Sequence, residues 1–284
     1  MPAVLGTNVA SLWASKNLQS AQSNMANSVE RLSSGLRVNR ARDDAAGLGI
    51  ANALTQQINS ADQGIRNLND GISIVQTAEG ALSQVSEMAQ RILTLAVQGQ
   101  SSALSLTQRQ SITTEMSSLL NGIDAIQTRT KFGSNTNTLF NSSALTVFNS
   151  KESADSISIT GTALATIGTT TGGLANTLST NVATATTAAS VGDFQAIVTS
   201  ASNFINSLST QRGVLGATQN QMEYSINNIT ELSANLSSAR SRVIDTDYAT
   251  ETAKLTKGQI LQQAATAMLA QANQMPNVIL SLLK

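Results

Sequence analysis

From residue 48 to residue 97 the chain contains no proline, and it carries apolar side chains at Leu54, Ile58, Ala61, Ile65, Leu68, Ile72 and Val75. The steps alternate four and three, which keeps the stripe on one side of a helix and makes the seam of a coiled coil. Leu82, Val85, Ala89, Ile92 and Ala96 continue the ladder after one change of phase. Glu79 falls on the seam, as a register-setting polar residue or a local slip. A continuous helix of this length runs roughly 75 Å at 1.5 Å per residue. Gly47 and Gly49 at its start and Gly99 at its end suit its boundaries.

Two further ladders follow. Residues 107–129 place Ile112, Met116, Leu119, Ile123 and Ile126 on one stripe. Residues 194–243 do the same with Ala201, Ile205, Leu208, Leu215, Met222, Ile226, Ile229 and Leu236, interrupted by Arg212 and Gln219. The ends behave alike. Leu5 and Leu12 lie seven apart, as do Leu18, Met25 and Leu32, while Leu261, Ala265, Met268, Ala272, Met275, Ile279 and Leu282 alternate four and three. Pro276 is expected to bend or loosen that last stretch. These ends carry almost no charge: residues 1–29 have only Lys16, and residues 252–284 only Lys254, Lys257 and Lys284. A solvated helix normally presents a charged face, so both ends read as surfaces that become ordered inside an assembly. Trp13 reads as a packing residue there, because an aromatic ring buries a large area.

Residues 131–192 differ in kind, being rich in Thr, Ser, Asn and Gly. Short alternations at residues 145–148 and 157–160 predict one or two β-hairpins. Residues 169–190, low in complexity, are expected to form a flexible crossing. The predicted fold is mainly α: a long antiparallel helical coiled-coil rod with a small β-hairpin region, in which the N- and C-terminal helices pair. The expected division is residues 1–34 with 246–284 as an inner terminal-helix domain, 35–46 as a linker, 47–130 with 193–245 as a helical rod, and 131–192 as the hairpin and crossing.

Composition removes several function classes. Seventeen basic and 17 acidic residues balance, which argues against a nucleic-acid partner, since phosphate binding needs a basic surface. The absence of His and Cys removes imidazole bases, thiol nucleophiles and zinc thiolates. No apolar run is long enough to span a membrane, and no secretory signal follows Met1. The acids are scattered along helices, and nothing points to paired carboxylates for acid–base work. The expectation is a structural protein with no catalytic residue, cofactor or metal.

The segment at residues 32–51 reads LSSGLRVNRARDDAAGLGIA. Arg37, Asp43 and Asp44 within it, and Arg31 just before it, are the candidate polar contacts. Asp43 and Asp44 precede the long helix, where the helix dipole favours negative charge. Two readings stay open: helix capping with local ion pairs, or pairing between subunits across a polymer.

This segment resembles the N-terminal signature of bacterial flagellin, the subunit of the flagellar filament. NLNDGISI at residues 67–74, QTAEG at 76–80, SRV at 241–243, DYATE at 247–251, QILQQA at 259–264 and LAQANQ at 269–274 resemble further signatures of the family, in the family's order. The resemblance covers about residues 1–130 and 193–284. It implies an inner pair of terminal helices that order on polymerisation, with Leu5, Leu12, Leu18, Met25, Leu32, Leu261, Met268, Met275, Ile279 and Leu282 as the expected polymer interface. It implies an outer helical rod, and export through the flagellar type III channel to an extracellular filament without a cleaved signal peptide. The implied partners are copies of the chain itself, filament cap and hook-junction proteins, an export chaperone at the C-terminal helix, and a host Toll-like receptor. The receptor motif of the family matches at Gln90, Arg91 and Leu95, with Glu115 on the neighbouring helix. Leu93 and Thr94 depart from it, standing where basic and acidic residues are common. With only about 60 residues between the conserved halves, the chain resembles a minimal flagellin without outer domains. A hook–filament junction protein shares the terminal pattern, but the central signature and the QANQ segment favour the filament subunit.

Overall fold

The computed structural model describes residues 7–131, 145–149, 155–159, 174–188 and 190–282. Over these residues the apolar ladders are helices: α1 (Val9–Ser34), α2 (Ala45–Gly99), α3 (Leu106–Arg129), α4 (Leu174–Ala188), α5 (Val191–Ile244) and α6 (Tyr248–Leu282). Strands β1 (Leu145–Phe148) and β2 (Ser156–Ile159) lie between α3 and α4 in the chain. The fold is mainly α, as the periodicity predicts. Contacts divide it into two units, one of Met1–Ile58 with Ala234–Lys284 and one of Asn59–Ser233.

In the Asn59–Ser233 unit the predicted seams are the core. Leu68, Val75, Leu82, Val85 and Ile92 of α2 pack with Met116 and Ile123 of α3 and with Phe194, Phe204, Leu208 and Met222 of α5. The helices α2 and α5 run antiparallel. Gln100 Nε2 donates to Gln195 Oε1 at 2.8 Å, Arg212 pairs with Glu79 at 3.5 Å, and Ser233 Oγ donates to Asp62 Oδ1 at 3.4 Å. Glu79 and Arg212, each an interruption of its own stripe, thus meet one another. Capping side chains fix two helix starts. Ser105 and Gln108 exchange bonds at the head of α3, and Ser190 and Asp193 do so at the head of α5. Each box satisfies amides that the first helical turn leaves unpaired.

The strands pair antiparallel, with Leu145 opposite Ile159 and Val147 opposite Ile157. Val147, Ile157 and Ile159 face inward, while Phe148 stays exposed. The hairpin sits on a face of α2 where Gly64 and Gly71 flank Asn67. Asn67 Nδ2 donates to the Phe148 carbonyl at 2.9 Å, Gly64 lies under the backbone of Asn149, and Gly71 leaves room for Val147 and Met222.

One expectation needs correction. Most of the tract read as an irregular crossing, residues 169–190, is helix α4, packed against α3 and running antiparallel to α5. Ala175, Leu178, Val182 and Ala185 are all buried. Their spacing of three, four and three is a helical stripe, masked in the sequence by short side chains and by the surrounding Thr and Ser.

Candidate functional site

The charge-poor ends form the candidate site, within the Met1–Ile58 and Ala234–Lys284 unit. Helix α1 starts at Asn8, whose Oδ1 accepts from the Ser11 amide at 3.1 Å. It ends at Gly35, where φ is +72° and the amide returns to the Arg31 carbonyl at 2.9 Å. A residue without Cβ enters this left-handed conformation freely. The chain then lies beside the α5–α6 connection. Arg37 N donates to Ile244 O at 2.6 Å, Thr246 N donates to Gly35 O at 2.9 Å, and Leu36 bridges Asp245. These bonds bring the head of α6 beside the tail of α1.

The two helices pack antiparallel. Asn8 Nδ2 donates to Ala272 O at 2.7 Å at one end, and Tyr248 OH donates to Leu32 O at 3.3 Å at the other. On α1 the face toward α6 carries buried Ala14, Ala21 and Ser28, with Leu18, Met25 and Leu32 half-buried between them. On α6 the matching face carries buried Glu251, Gly258 and Ala272, with Leu255, Ala265 and Leu269 half-buried. Both stripes alternate three and four, as a paired coiled-coil seam does.

Large apolar side chains lie elsewhere on the same helices. Leu12 is 62% exposed, Trp13 60%, Leu261 48% and Met268 66%, and Val9 and Ile260 are also exposed. Trp13, Leu261 and Met268 flank an open groove of about 590 Å³ whose floor includes Ala14, Ala21 and Ala265. Lys16 Nζ stands 5.3 Å from the Trp13 ring centre, within range of the ring's electrostatic attraction for a cation.

The expected interface residues therefore separate into two sets. Leu18, Met25 and Leu32 turn toward the partner helix of the same chain, while Leu12, Leu261 and Met268 turn away from it. The periodic stripe read along the C-terminal helix is split as well, with Ala265 and Ala272 in the intrachain seam and Leu261 and Met268 beside it. Leu5 and the side chains of Met275, Ile279 and Leu282 lie outside the described residues. The backbone of α6 continues helical past Pro276 to Leu282.

Sequence reasoning missed the polar centre of this pair. Glu251 is 5% exposed, its Oε1 accepts from Ser28 Oγ at 2.8 Å, and its Oε2 accepts from Lys254 Nζ at 3.0 Å. Burial pushes its carboxyl up, but the Lys254 and Ser28 bonds and the charges of Lys254 and Arg31 outweigh that and hold it below the ordinary glutamate value. The signal available was an acid standing immediately before a 33-residue stretch that has none. Its partner, 223 positions away in the chain, had no signal.

Three of the four polar candidates, Arg37, Asp43 and Asp44, bond within the chain. Asp44 Oδ1 accepts from the Gly47 amide at 2.8 Å, capping α2. Asp43 Oδ2 accepts from the amides of Arg40 at 3.0 Å and Asn39 at 3.3 Å. Those amides, with the charges of Arg42 and Arg31, hold its carboxyl below the usual aspartate value despite some desolvation. Arg37 donates from its guanidinium to the Val243 carbonyl. Arg31 is half-buried beside Asp43 in a polar recess with Glu30, Asn39 and Arg42. At the head of α6, Asp247 accepts from Thr250 Oγ1 at 2.6 Å and from the amides of Thr250 and Ala249, which likewise lower its carboxyl.

In the other unit, Arg91 Nη2 lies 2.7 Å from Glu115 Oε1, and both side chains are about half exposed. Gln90 is exposed beside them, while Leu95, at 2% exposure, belongs to the core. The expected patch thus retains three of its four residues at the surface.

Comparison with known proteins agrees across the chain. Residues 5–144 match the bacterial flagellin N-terminal helical region, and residues 196–283 match the bacterial flagellin C-terminal helical region. A flagellin of Bacillus subtilis (strain 168) is 38% identical, with 98% of each chain covered. A flagellin of Halalkalibacterium halodurans is 36% identical over 99% of this chain and 100% of its own. Among solved structures, a putative flagellar hook-associated protein from Vibrio parahaemolyticus shares the fold at a TM-score of 0.58 and 14% identity, covering 72% of this chain and all of that one.

Proposed function

Because the chain belongs to the bacterial flagellin family and is a structural subunit of the extracellular flagellar filament, we propose that it polymerises through the outward apolar faces of α1 and α6. One observation carries this reading: the apolar positions fully buried in the seam of the pair are small (Ala14, Ala21, Gly258 and Ala272), whereas Leu12, Trp13, Leu261 and Met268 face solvent. Covering a side chain of that size is worth roughly 1.5–3 kcal/mol, and three of the four, Trp13, Leu261 and Met268, line one open groove of the pair. Each added subunit that covers them gains a term that the isolated pair forgoes. The residues at 1–34 and 246–284 act as the inner assembly domain in this reading, 35–46 as its linker, and 47–130 with 193–245 as the rod. Export proceeds through the type III channel, a chaperone shields the C-terminal helix before assembly, and cap and hook-junction proteins bound the polymer. Removing residues 256–284 tests the interface. The truncated protein is expected to keep its helical Asn59–Ser233 unit and to remain monomeric by sedimentation. Long filaments in electron microscopy of that protein would refute the assignment.

The exposed Arg91–Glu115 pair with Gln90 supports a second, compatible role as a contact for a host Toll-like receptor. Leu95 contributes to it only by packing beneath the helix surface.

A further inference from the structure

Methionine is the most oxidisable apolar side chain in this cysteine-free protein, and its exposure varies sharply between positions. Met116 and Met222 are fully buried, Met25 and Met88 are half-buried, and Met268 is 66% exposed. Met268 also differs in its setting. It stands on the rim of the 590 Å³ groove between α1 and α6, together with Trp13 and Leu261. We infer that Met268 is an oxidation site that controls entry into the polymer: peroxide converts it to the sulfoxide on the free subunit, and the oxidised subunit is excluded from assembly. This rests on the reading that the groove is covered by another copy of the chain.

The chemistry needs only a peroxide. A lone pair of the Met268 sulfur attacks one peroxide oxygen, and the O–O bond breaks. The sulfur gains an oxygen and loses two electrons, the peroxide is reduced, and the departing hydroxide takes the remaining proton to leave as water. A flexible thioether that fits many apolar surfaces becomes a rigid, strongly polar acceptor. Covering that acceptor strips its water without supplying a designed donor, which is costly for any buried polar group. In a subunit already covered by a neighbour, the same sulfur is out of reach of the oxidant. The site therefore discriminates between free and assembled subunits, passing over damage where it would be structurally harmful and marking the subunits not yet committed.

The experiment uses the full-length chain and hydrogen peroxide as the oxidant. Unpolymerised protein is treated for increasing times, quenched, and mapped by peptide mass spectrometry; the same samples are then polymerised on filament seeds, and the critical concentration is read by sedimentation. Met268 is expected to gain oxygen well ahead of Met116 and Met222, and to be oxidised at least about tenfold more slowly when the protein is polymerised before treatment. The critical concentration of the oxidised protein is expected to rise by about tenfold or more. Met268→Leu, compared with its own untreated form, is expected to lose most of that change, whereas Met88→Leu keeps it. Equal oxidation rates at Met268 and Met116 would overturn the inference. So would normal assembly of protein oxidised at Met268, or full oxidant sensitivity in Met268→Leu, and in these cases the interface reading would stand. Untreated protein whose groove stays open to peroxide after polymerisation would overturn the interface reading and this inference with it.

Discussion

Replacing Gly64 with alanine should separate two effects of opposite sign in one helix. Both Gly64 and Gly80 lie within α2, where alanine is favoured over glycine by about 1 kcal/mol. A Cβ at Gly80 meets nothing within 4 Å, so Gly80→Ala should gain that amount. At Gly64 the new Cβ would overlap the Asn149 carbonyl oxygen, with the carbonyl carbon 2.8 Å away and Asn149 Cα 3.3 Å away. These are backbone atoms, and no rotamer change moves them. The Asn149 amide is tied to the Asp155 carbonyl at 3.2 Å, and the preceding carbonyl is tied to Asn67 at 2.9 Å.

The end of the hairpin must therefore lift from α2. Overpacking of this kind costs about 1–3 kcal/mol, and losing the Asn67 bond adds about 1 kcal/mol. Set against the propensity gain, the net loss is about 1–3 kcal/mol. For a unit of this size each kcal/mol moves the melting temperature by about 2–4 °C. Thermal melts followed by far-UV circular dichroism should show Gly64→Ala melting several degrees below the parent and Gly80→Ala above it. Hydrogen exchange at residues 145–149 supplies a second reading, should the hairpin detach before the helices melt. If Gly64→Ala melts above the parent with unchanged hairpin exchange, the strands do not rest on this face of α2.

Two further outcomes follow from the charged groups. The folded carboxyl of Glu251 lies below its unfolded value of about 4.3, so its stabilisation of the α1–α6 pair is fully present above that value and is lost as pH falls beneath it. Fluorescence of Trp13, the single tryptophan, should report this loss on acid titration, and Glu251→Gln should show a smaller acid-side change, the remainder coming from Asp43 and Asp247. An undiminished acid limb in Glu251→Gln would remove Glu251 from the account. At the Arg91–Glu115 pair, Arg91→Ala and Glu115→Ala should each change stability by less than about 1 kcal/mol, because the pair is solvent-exposed. A receptor-activation assay on either variant therefore reads lost contact and not lost fold, and an unchanged response in both would exclude the patch.

The seams of α2, α3 and α5 were legible because Leu, Ile, Met and Phe at helical spacing have only one way to avoid water together. The hairpin was legible from the alternation of Val147, Ile157 and Ile159. Helix α4 was not, because Ala175 and Ala185 contrast weakly with neighbouring Thr and Ser. The terminal pair was legible as a pair but misleading as to its face. Sequence periodicity marks every apolar stripe, and α6 has two that overlap: one through Leu261 and Met268, another through Leu255, Gly258 and Leu269. Choosing between them requires knowing what each stripe meets. The Ser28–Glu251 bond was hidden for a related reason, since it depends on the register between two helices from opposite ends of the chain.

That choice of face also explains why the ends carry so few charges. A helix pair that must stand alone would bury its largest side chains against its partner and present ions to water. Here the fully buried apolar positions are Ala14, Ala21, Gly258 and Ala272, with Leu18, Met25, Leu32, Leu255 and Leu269 only half-buried between them. The small residues bury little area and the large ones stay partly open, so at about 25 cal/mol per Å² the seam gives the pair modest stability of its own. Small seam residues do allow the two backbones to approach closely, which fixes register through direct bonds such as Asn8 to Ala272 and Ser28 to Glu251. The larger side chains are then held at set positions on the outside. On the proposed reading the seam supplies geometry, and the outer faces supply the energy of assembly. Alanine at Leu12, Leu261 and Met268 would then leave the seam of the pair intact and make a poorer polymer.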